Sequence, residues 1–313
     1  MREIVVFAGS SHPQLADEIC GRLGVALSPS ETKRFTNDCL EVQLKANCRE
    51  RDVFLIQTLA APVQEHLMEL LLMIDAARGA SAARISVVIP FYAYARSDKK
   101  DAPRISIGGR LVADLLSAAG ASRVLTMALH APQVHGFFSV PCDHLHAQHE
   151  LAEHFRARCD LANTVVVAPD MGYAKQAASF ARRLDLPVAL GAKQRISDTK
   201  VVISAVIGET AGKDVIVIDD EIAAGSTVIE VLGHLRTRGV GKVRIACTHG
   251  LFGRNSLERL ASEPEVTEIV TMNTVPIGPE KRIAKLTVLS VAPALAEAMR
   301  RIHEGESVSE LFE

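Results

Sequence analysis

Short apolar runs recur along the chain, separated by segments whose apolar positions repeat with helical spacing. The runs predict strands at Glu3–Phe7, Asp52–Gln57, Ile85–Ile89 and Arg123–Met127. Further strands are predicted at Thr164–Ala168, Val188–Leu190, Lys200–Ile207, Asp214–Ile218, Lys242–Cys247, Glu268–Thr271 and Leu286–Leu289. The spaced segments predict helices at Pro13–Leu23, Val63–Ala77, Ile107–Ala119, Gly172–Leu184, Ser226–Arg238 and Ala292–His303. Runs such as Val165-Val166-Val167 and Val215-Ile216-Val217-Ile218 do not alternate with polar residues. Strands of that kind are buried on both faces, which is the condition of a parallel sheet covered by helices. The expected fold class is therefore α/β.

The pattern turns polar and histidine-rich over Pro141–Gln148. On either side of it a strand opens a series of βαβ units, so two domains are expected, 1–145 and 146–313. The final helix is expected to pack back toward the first domain. The length of 313 residues suits this division.

Composition narrows the function classes. With 48% hydrophobic and 23% charged residues the chain is an ordinary globular protein. A net charge of −2 supplies no general basic field for nucleic acid or an anionic membrane, so neither partner is expected. The apolar stretch from Leu67 to Ile74 is interrupted by Glu69 and followed by Asp75, so it reads as a core helix and not a span. A cytoplasmic location is expected. Cysteines at 20, 39, 48, 142, 159 and 247 form no C-x-x-C pair, and reduced thiols are expected. His144, His146, His149 and His154 show no metal spacing and are expected to form a polar surface cluster.

The strongest chemical signal lies at Asp219–Thr227. Asp219-Asp220 follow a central strand at its carboxyl end, and after Glu221-Ile222-Ala223-Ala224 the sequence Gly225-Ser226-Thr227 opens an amphipathic helix. Open α/β sheets bind ligands just beyond strand carboxyl ends. Glycine allows close backbone approach, and a helix start offers amide N–H groups to an anion. Paired carboxylates ahead of such a cradle suit ribose hydroxyls or a hydrated Mg²⁺. The competing reading is a capped helix, with Ser226 or Thr227 as N-cap.

Val217-Ile218-Asp219-Asp220 with its small-residue loop resembles the phosphoribosyl-pyrophosphate motif of type I phosphoribosyltransferases. Other segments narrow the resemblance to the ribose-phosphate pyrophosphokinase family. They are Arg34-Phe35, Leu67-Met68-Glu69-Leu70-Leu71, Tyr94-Ala95-Arg96, Asp98-Lys99-Lys100, His130-Ala131, Gly136-Phe137-Phe138, Thr248-His249-Gly250 and the run Gly305–Ser309. The resemblance implies two phosphoribosyltransferase-like domains, each a mostly parallel sheet flanked by helices. It implies a transferase of nucleotide biosynthesis, a kinase that moves the pyrophosphoryl group of ATP to the anomeric hydroxyl of ribose 5-phosphate, giving phosphoribosyl pyrophosphate and AMP.

It also implies roles. Lys193 and Arg195 match a catalytic loop that closes over the transferring group. Phe35 and Asn37 match contacts to the adenine and ribose of ATP in a neighbouring subunit, which implies a homo-oligomer, dimer or hexamer. Arg96, Ser97 and Asp101 match the ATP-site segment. His130 and Asp170 match the Mg²⁺-nucleotide site, each following a strand in its own half. Asp219, Asp220, Ala223, Ala224, Gly225, Ser226 and Thr227 match the ribose 5-phosphate loop. The chain departs from the family pattern in several places: Cys39 and Ala128 replace acids, Ser97 replaces a glutamine, Glu221 an apolar residue, and Ala223-Ala224 an Asp-Thr or Ser-Thr pair. These departures keep two alternatives open, a non-catalytic regulatory relative and a phosphoribosyltransferase.

Overall fold

The uninterrupted apolar runs become the central strands of two separate sheets in a computed structural model that describes residues 3–197 and 200–312. The chain divides into two units. The first takes the residues up to His146, Thr274–Pro276, and the segment from Ser290 onward; the second takes Ala147–Asn273 and Ile277–Leu289.

In the first unit, β1 (Ile4–Ala8), β2 (Leu27–Ser28), β3 (Ser30–Arg34), β4 (Leu40–Leu44), β5 (Asp52–Ile56), β6 (Arg84–Ile89), β7 (Arg123–Met127) and β8 (Cys142–Leu145) follow in chain order. Six of them form a parallel sheet in the order β2-β1-β5-β6-β7-β8. Val53, Phe54 and Leu55 are fully buried at its centre, as residues of a strand covered on both faces must be. The helices α1 (Pro13–Leu23), α2 (Val63–Gly79) and α3 (Gly108–Ala119) serve as crossovers. The remaining strands, β3 and β4, pair antiparallel as a separate ribbon, Ser30 opposite Leu44 and Arg34 opposite Leu40.

The second unit contains α4 (Gln148–Arg158), β9 (Thr164–Ala168), α5 (Ala174–Arg183), β10 (Val188–Ser197), β11 (Lys200–Ile207), β12 (Asp214–Ile222), α6 (Ser226–Thr237), β13 (Val243–Gly250), α7 (Ser256–Ser262), β14 (Val266–Met272) and β15 (Leu286–Leu289). Its seven strands run in the order β11-β10-β9-β12-β13-β14-β15 and are parallel except for the β10–β11 pair. The last helix, α8 (Ala292–Glu304), belongs to the first unit and packs on α1 through a stripe that includes Leu295, Met299 and Ile302.

Several elements differ from the expectation. The helix α4 and the strands β3, β4 and β8 are not among the expected elements: α4 and β3 are rich in polar residues, and β4 and β8 are short. The histidine cluster is not uniformly a surface feature: His154 is buried and its Nε2 lies 3.0 Å from Glu268, while His144 Nε2 accepts the Leu129 N–H at 2.8 Å. No cysteine among the described residues is in a disulfide; Cys20, Cys48 and Cys247 are buried and Cys39 is exposed. No helix is long and apolar enough to cross a membrane among the described residues.

Candidate active site

The predicted strand Asp214–Ile218 continues to Ile222, so Asp219 and Asp220 lie within β12 and not after it. The reason is the neighbour: β13 runs on to Gly250, holding Asp219 opposite Cys247 and Glu221 opposite His249. On the other side β9 pairs with β12 up to Val217 opposite Val167, which brings the Asp170 that follows β9 close to Asp219. Burial, the adjacent Asp220 carboxyl and then the charge of Asp170 push the Asp219 carboxyl well above its ordinary range. The Asp220 N–H donates to Asp219 Oδ1 at 3.0 Å. Asp170 is held by its own backbone, Oδ1 accepting the N–H groups of Gly172 at 2.8 Å and Tyr173 at 3.3 Å. Tyr173 joins this group, its hydroxyl pushed up by burial and by Asp220 and Asp219. Nothing in the sequence pattern singled it out.

The loop after β12 is fixed by its backbone. Ala223 O accepts the Gly253 N–H and the Ser256 hydroxyl, both at 2.9 Å, and the Phe252 N–H donates to Ile222 O at 3.0 Å. Gly225 takes φ +69° and becomes the N-cap of α6, with no side-chain cap hydrogen bond. Ser226 and Thr227, either of which the competing reading made the cap, stand inside the helix instead. The first intrahelical bond runs from Ile229 N–H to Gly225 O at 3.0 Å, so the amides of Ser226, Thr227 and Val228 have no acceptor within the helix. Unspent donors at the positive end of a helix dipole form an anion cradle. Glu221, near the end of β12 and just ahead of this loop, is buried, only 8% exposed.

In the first unit the candidate residues gather on two segments. The ribbon turn presents Phe35, which is 48% exposed, and Asn37, whose Oδ1 accepts the Cys39 N–H at 3.3 Å. The turn is closed by the Phe35 N–H to Cys39 O and the Asp38 N–H to Phe35 O, both 2.9 Å. The second segment leaves β6 at Pro90. Tyr92 is buried there, its hydroxyl donating to Gly109 O at 2.9 Å and its ring meeting Phe138 edge-on. This anchor leaves Arg96, Lys99 and Asp101 exposed. Ser97 behaves differently: its hydroxyl accepts the Gly108 N–H at 2.8 Å and donates to Ser106 O at 3.3 Å, closing the loop onto α3. His130 is exposed beyond β7, and Ala128 before it adopts φ +44°. Lys193 and Arg195 lie on β10, and their side chains fall outside the described residues.

Comparison with known proteins gives this arrangement its context. The model of the N-terminal domain of ribose phosphate pyrophosphokinase matches residues 4–120, and that of the phosphoribosyl synthetase-associated domain matches residues 193–313. A Streptomyces coelicolor protein given the same enzyme name provisionally is 67% identical over all of this chain and 98% of its own. The Deinococcus radiodurans ribose-phosphate pyrophosphokinase is 51% identical over 99% of this chain and 98% of its own. The chain belongs to the ribose-phosphate pyrophosphokinase family. It is an enzyme of that type. Among solved structures, phosphoribosylpyrophosphate synthetase from Mycobacterium smegmatis superimposes with a TM-score of 0.91 at 39% identity, covering 97% of this chain and 100% of that one. The two sheets and their flanking helices are thus the family fold, and the loop with Ala223 and Ala224 is this member's version of it.

Proposed function

We propose that the chain transfers the pyrophosphoryl group of ATP to the anomeric hydroxyl of ribose 5-phosphate, releasing AMP. The observation that carries the sugar-phosphate half is the uncapped start of α6 behind Gly225, beside the carboxylates of β12. The anion cradle would hold the 5-phosphate through the amides of Ser226 and Thr227 and the backbone from Ala223 to Gly225. Asp219 and Asp220 would accept hydrogen bonds from the ribose hydroxyls. Backbone amides compensate for the hydroxyl missing at position 224.

A divalent cation, Mg²⁺ by chemistry, fits the residues present. Desolvation of Asp219 beside the carboxyls of Asp220 and Asp170 creates a demand for positive charge that a cation meets. Among the described residues no three Asp, Glu, His or Cys side chains form a ready-made cage. Magnesium seldom uses such a cage, keeping waters and substrate oxygens in its shell. Asp170 is the proposed ligand in the second unit and His130 the proposed nucleotide and cation contact in the first. When bound, the ion would neutralise phosphate charge.

The remaining residues position and stabilise. Phe35 would stack adenine and Asn37 bond its ribose in a neighbouring subunit of a cytoplasmic homo-oligomer, while Arg96 and Asp101 contact the nucleotide of their own subunit. Ser97 would act by closing its loop onto α3. Lys193 and Arg195 would stabilise charge on the bridging and leaving oxygens, a contribution of about 100-fold or more for one such donor. In-line attack by the anomeric oxygen on the β-phosphorus then needs mainly orientation and charge neutralisation.

A coupled assay for AMP release with ATP, Mg²⁺ and ribose 5-phosphate tests this reading. AMP formed only when all three are present supports it. ATP binding without turnover under any divalent ion would favour the non-catalytic relative.

A further inference from the structure

From the exposed β3–β4 ribbon a line of side-chain hydrogen bonds runs into the buried core, and the reaction chemistry does not use it. Glu69 on α2 is 2% exposed. Its carboxylate accepts the Ser10 N–H at 3.2 Å, and the Ser10 hydroxyl, the Thr32 hydroxyl and Gln57 Nε2 at 2.6 Å each. Gln57 carries the line onward, its Oε1 accepting the Ser11 N–H at 3.1 Å and the Ser11 hydroxyl at 2.6 Å. Ser11 Oγ accepts the Thr58 N–H at 3.0 Å, and Thr58 Oγ1 accepts the Phe91 N–H at 3.2 Å while donating to Thr274 O at 2.7 Å.

Both ends of this line reach elements of the nucleotide region. Thr32 lies on β3, just ahead of Phe35 and Asn37. Phe91 opens the segment that leads to Arg96. A carboxylate withdrawn from water is costly unless every donor around it is well placed, and an apolar side chain would fill the same core space at no such cost. The second tie of the ribbon to α2, Arg34 to Glu65, is exposed on both sides and therefore weak. A cleft of about 210 Å³ lies beside these ties, lined by Ser10, Thr32, Arg34, Glu65 and Glu69 among others. Of the ribbon's two strands, β4 packs Val42 and Leu44 against the core, and β3 reaches α2 through Thr32 and Arg34.

We propose that Glu69 is a positioning residue for the nucleotide. Through Thr32 it sets the placement of the ribbon that carries Phe35 and Asn37. Through Gln57, Ser11 and Thr58 it ties that ribbon to the backbone at Phe91. The inference rests on the assignment of Phe35, Asn37 and Arg96 to ATP.

Thr32→Val is the sharpest probe, being nearly isosteric, on an exposed ribbon and without the donor. Glu69→Gln keeps the shape but faces the fixed donors of Ser10 N–H and Gln57 with an amide. Each is expected to raise KM for ATP by about 10-fold, the size of one lost hydrogen bond to a charged group. KM for ribose 5-phosphate and kcat should stay within about 2-fold, and Thr32→Ser should restore the parent KM for ATP. Thermal melting confirms that each variant is folded. Phe35→Ala is the control for the underlying assignment. A raised KM for ATP in Phe35→Ala with none in Thr32→Val overturns the positioning role and leaves the nucleotide assignment standing. No change in either overturns both. A parallel rise for both substrates, unrescued by serine, also overturns it, since it marks a general loss of structure.

Discussion

Gly225 presents a bare α-carbon to Ser256: a Cβ built at Gly225 would stand 3.2 Å from the Ser256 Cβ, at a backbone φ of +69°. Both facts oppose any side chain at this point of the phosphate loop. Gly225→Ala is expected to cost about 1–2 kcal/mol from the left-handed conformation alone. Because Ser256 also pins Ala223, the displaced loop should raise KM for ribose 5-phosphate and leave KM for ATP unchanged. Melting curves and steady-state kinetics on the same preparation check both expectations.

Asp219→Asn should separate stability from function. The folded protein raises the Asp219 pKa, so it binds a proton more tightly than the unfolded chain does. Stability from this group is therefore lost as pH rises from the ordinary aspartate range toward the raised value. Removing the charge should raise Tm at neutral pH in the absence of ligands and lower the rate by about 100-fold or more. Added Mg²⁺ should raise the Tm of the parent protein more than that of the variant. Calorimetry with and without the ion reads the difference.

Arg84→Met should destabilise the first unit. Asp52 is fully buried, paired with Arg84 and 2.8 Å from His303 Nδ1, and Arg84 also donates to His303 O at 3.2 Å. Stranding a buried carboxylate by removing its main partner costs about 3–5 kcal/mol. The double variant Arg84→Met, Asp52→Leu should recover most of that loss. Denaturant unfolding of the single and double variants measures it.

The surface of α8 carries a pH-dependent contribution. Arg300 and then Arg301 lower the Glu297 pKa to about 2. The stabilising effect is complete above the ordinary glutamate range and disappears as pH falls through about 2. The Tm difference between the parent and Glu297→Gln should be small, steady above pH ~4.5, and close to zero near pH ~2. A pH series of melts checks the direction.

Much of the fold was legible because Val165-Val166-Val167 and Val215-Ile216-Val217-Ile218 admit one arrangement, a strand covered on both faces. The ribbon was not legible for the opposite reason. Ser30–Arg34 is wholly polar and Leu40–Leu44 alternates over only five residues, and they pair with each other instead of with a sheet. The helix α4 escaped because Gln148–Arg158 interleaves His149, Glu150, Glu153 and His154 with its few apolar positions, and His154 turns inward onto Glu268. At the site, Asp170, Asp219 and Gly225 could be picked out from motif and position. The inclusion of Asp219 and Asp220 in β12 could not, because it depends on how far β13 runs alongside. Neither could the loop-closing use of Ser97, whose partners at 106 and 108 become neighbours only after the chain has turned.

The order in which the first unit is assembled has a consequence for synthesis. Its sheet is encoded entirely before residue 147, yet α8, which covers α1, and the segment Thr274–Pro276, whose Thr274 carbonyl receives the Thr58 hydroxyl, come near the end. A ribosome releasing this chain from its N-terminus therefore exposes an apolar face of α1 until the last helix has emerged. Nascent chains stalled before Ser290 should bind general chaperones more strongly than the finished protein does.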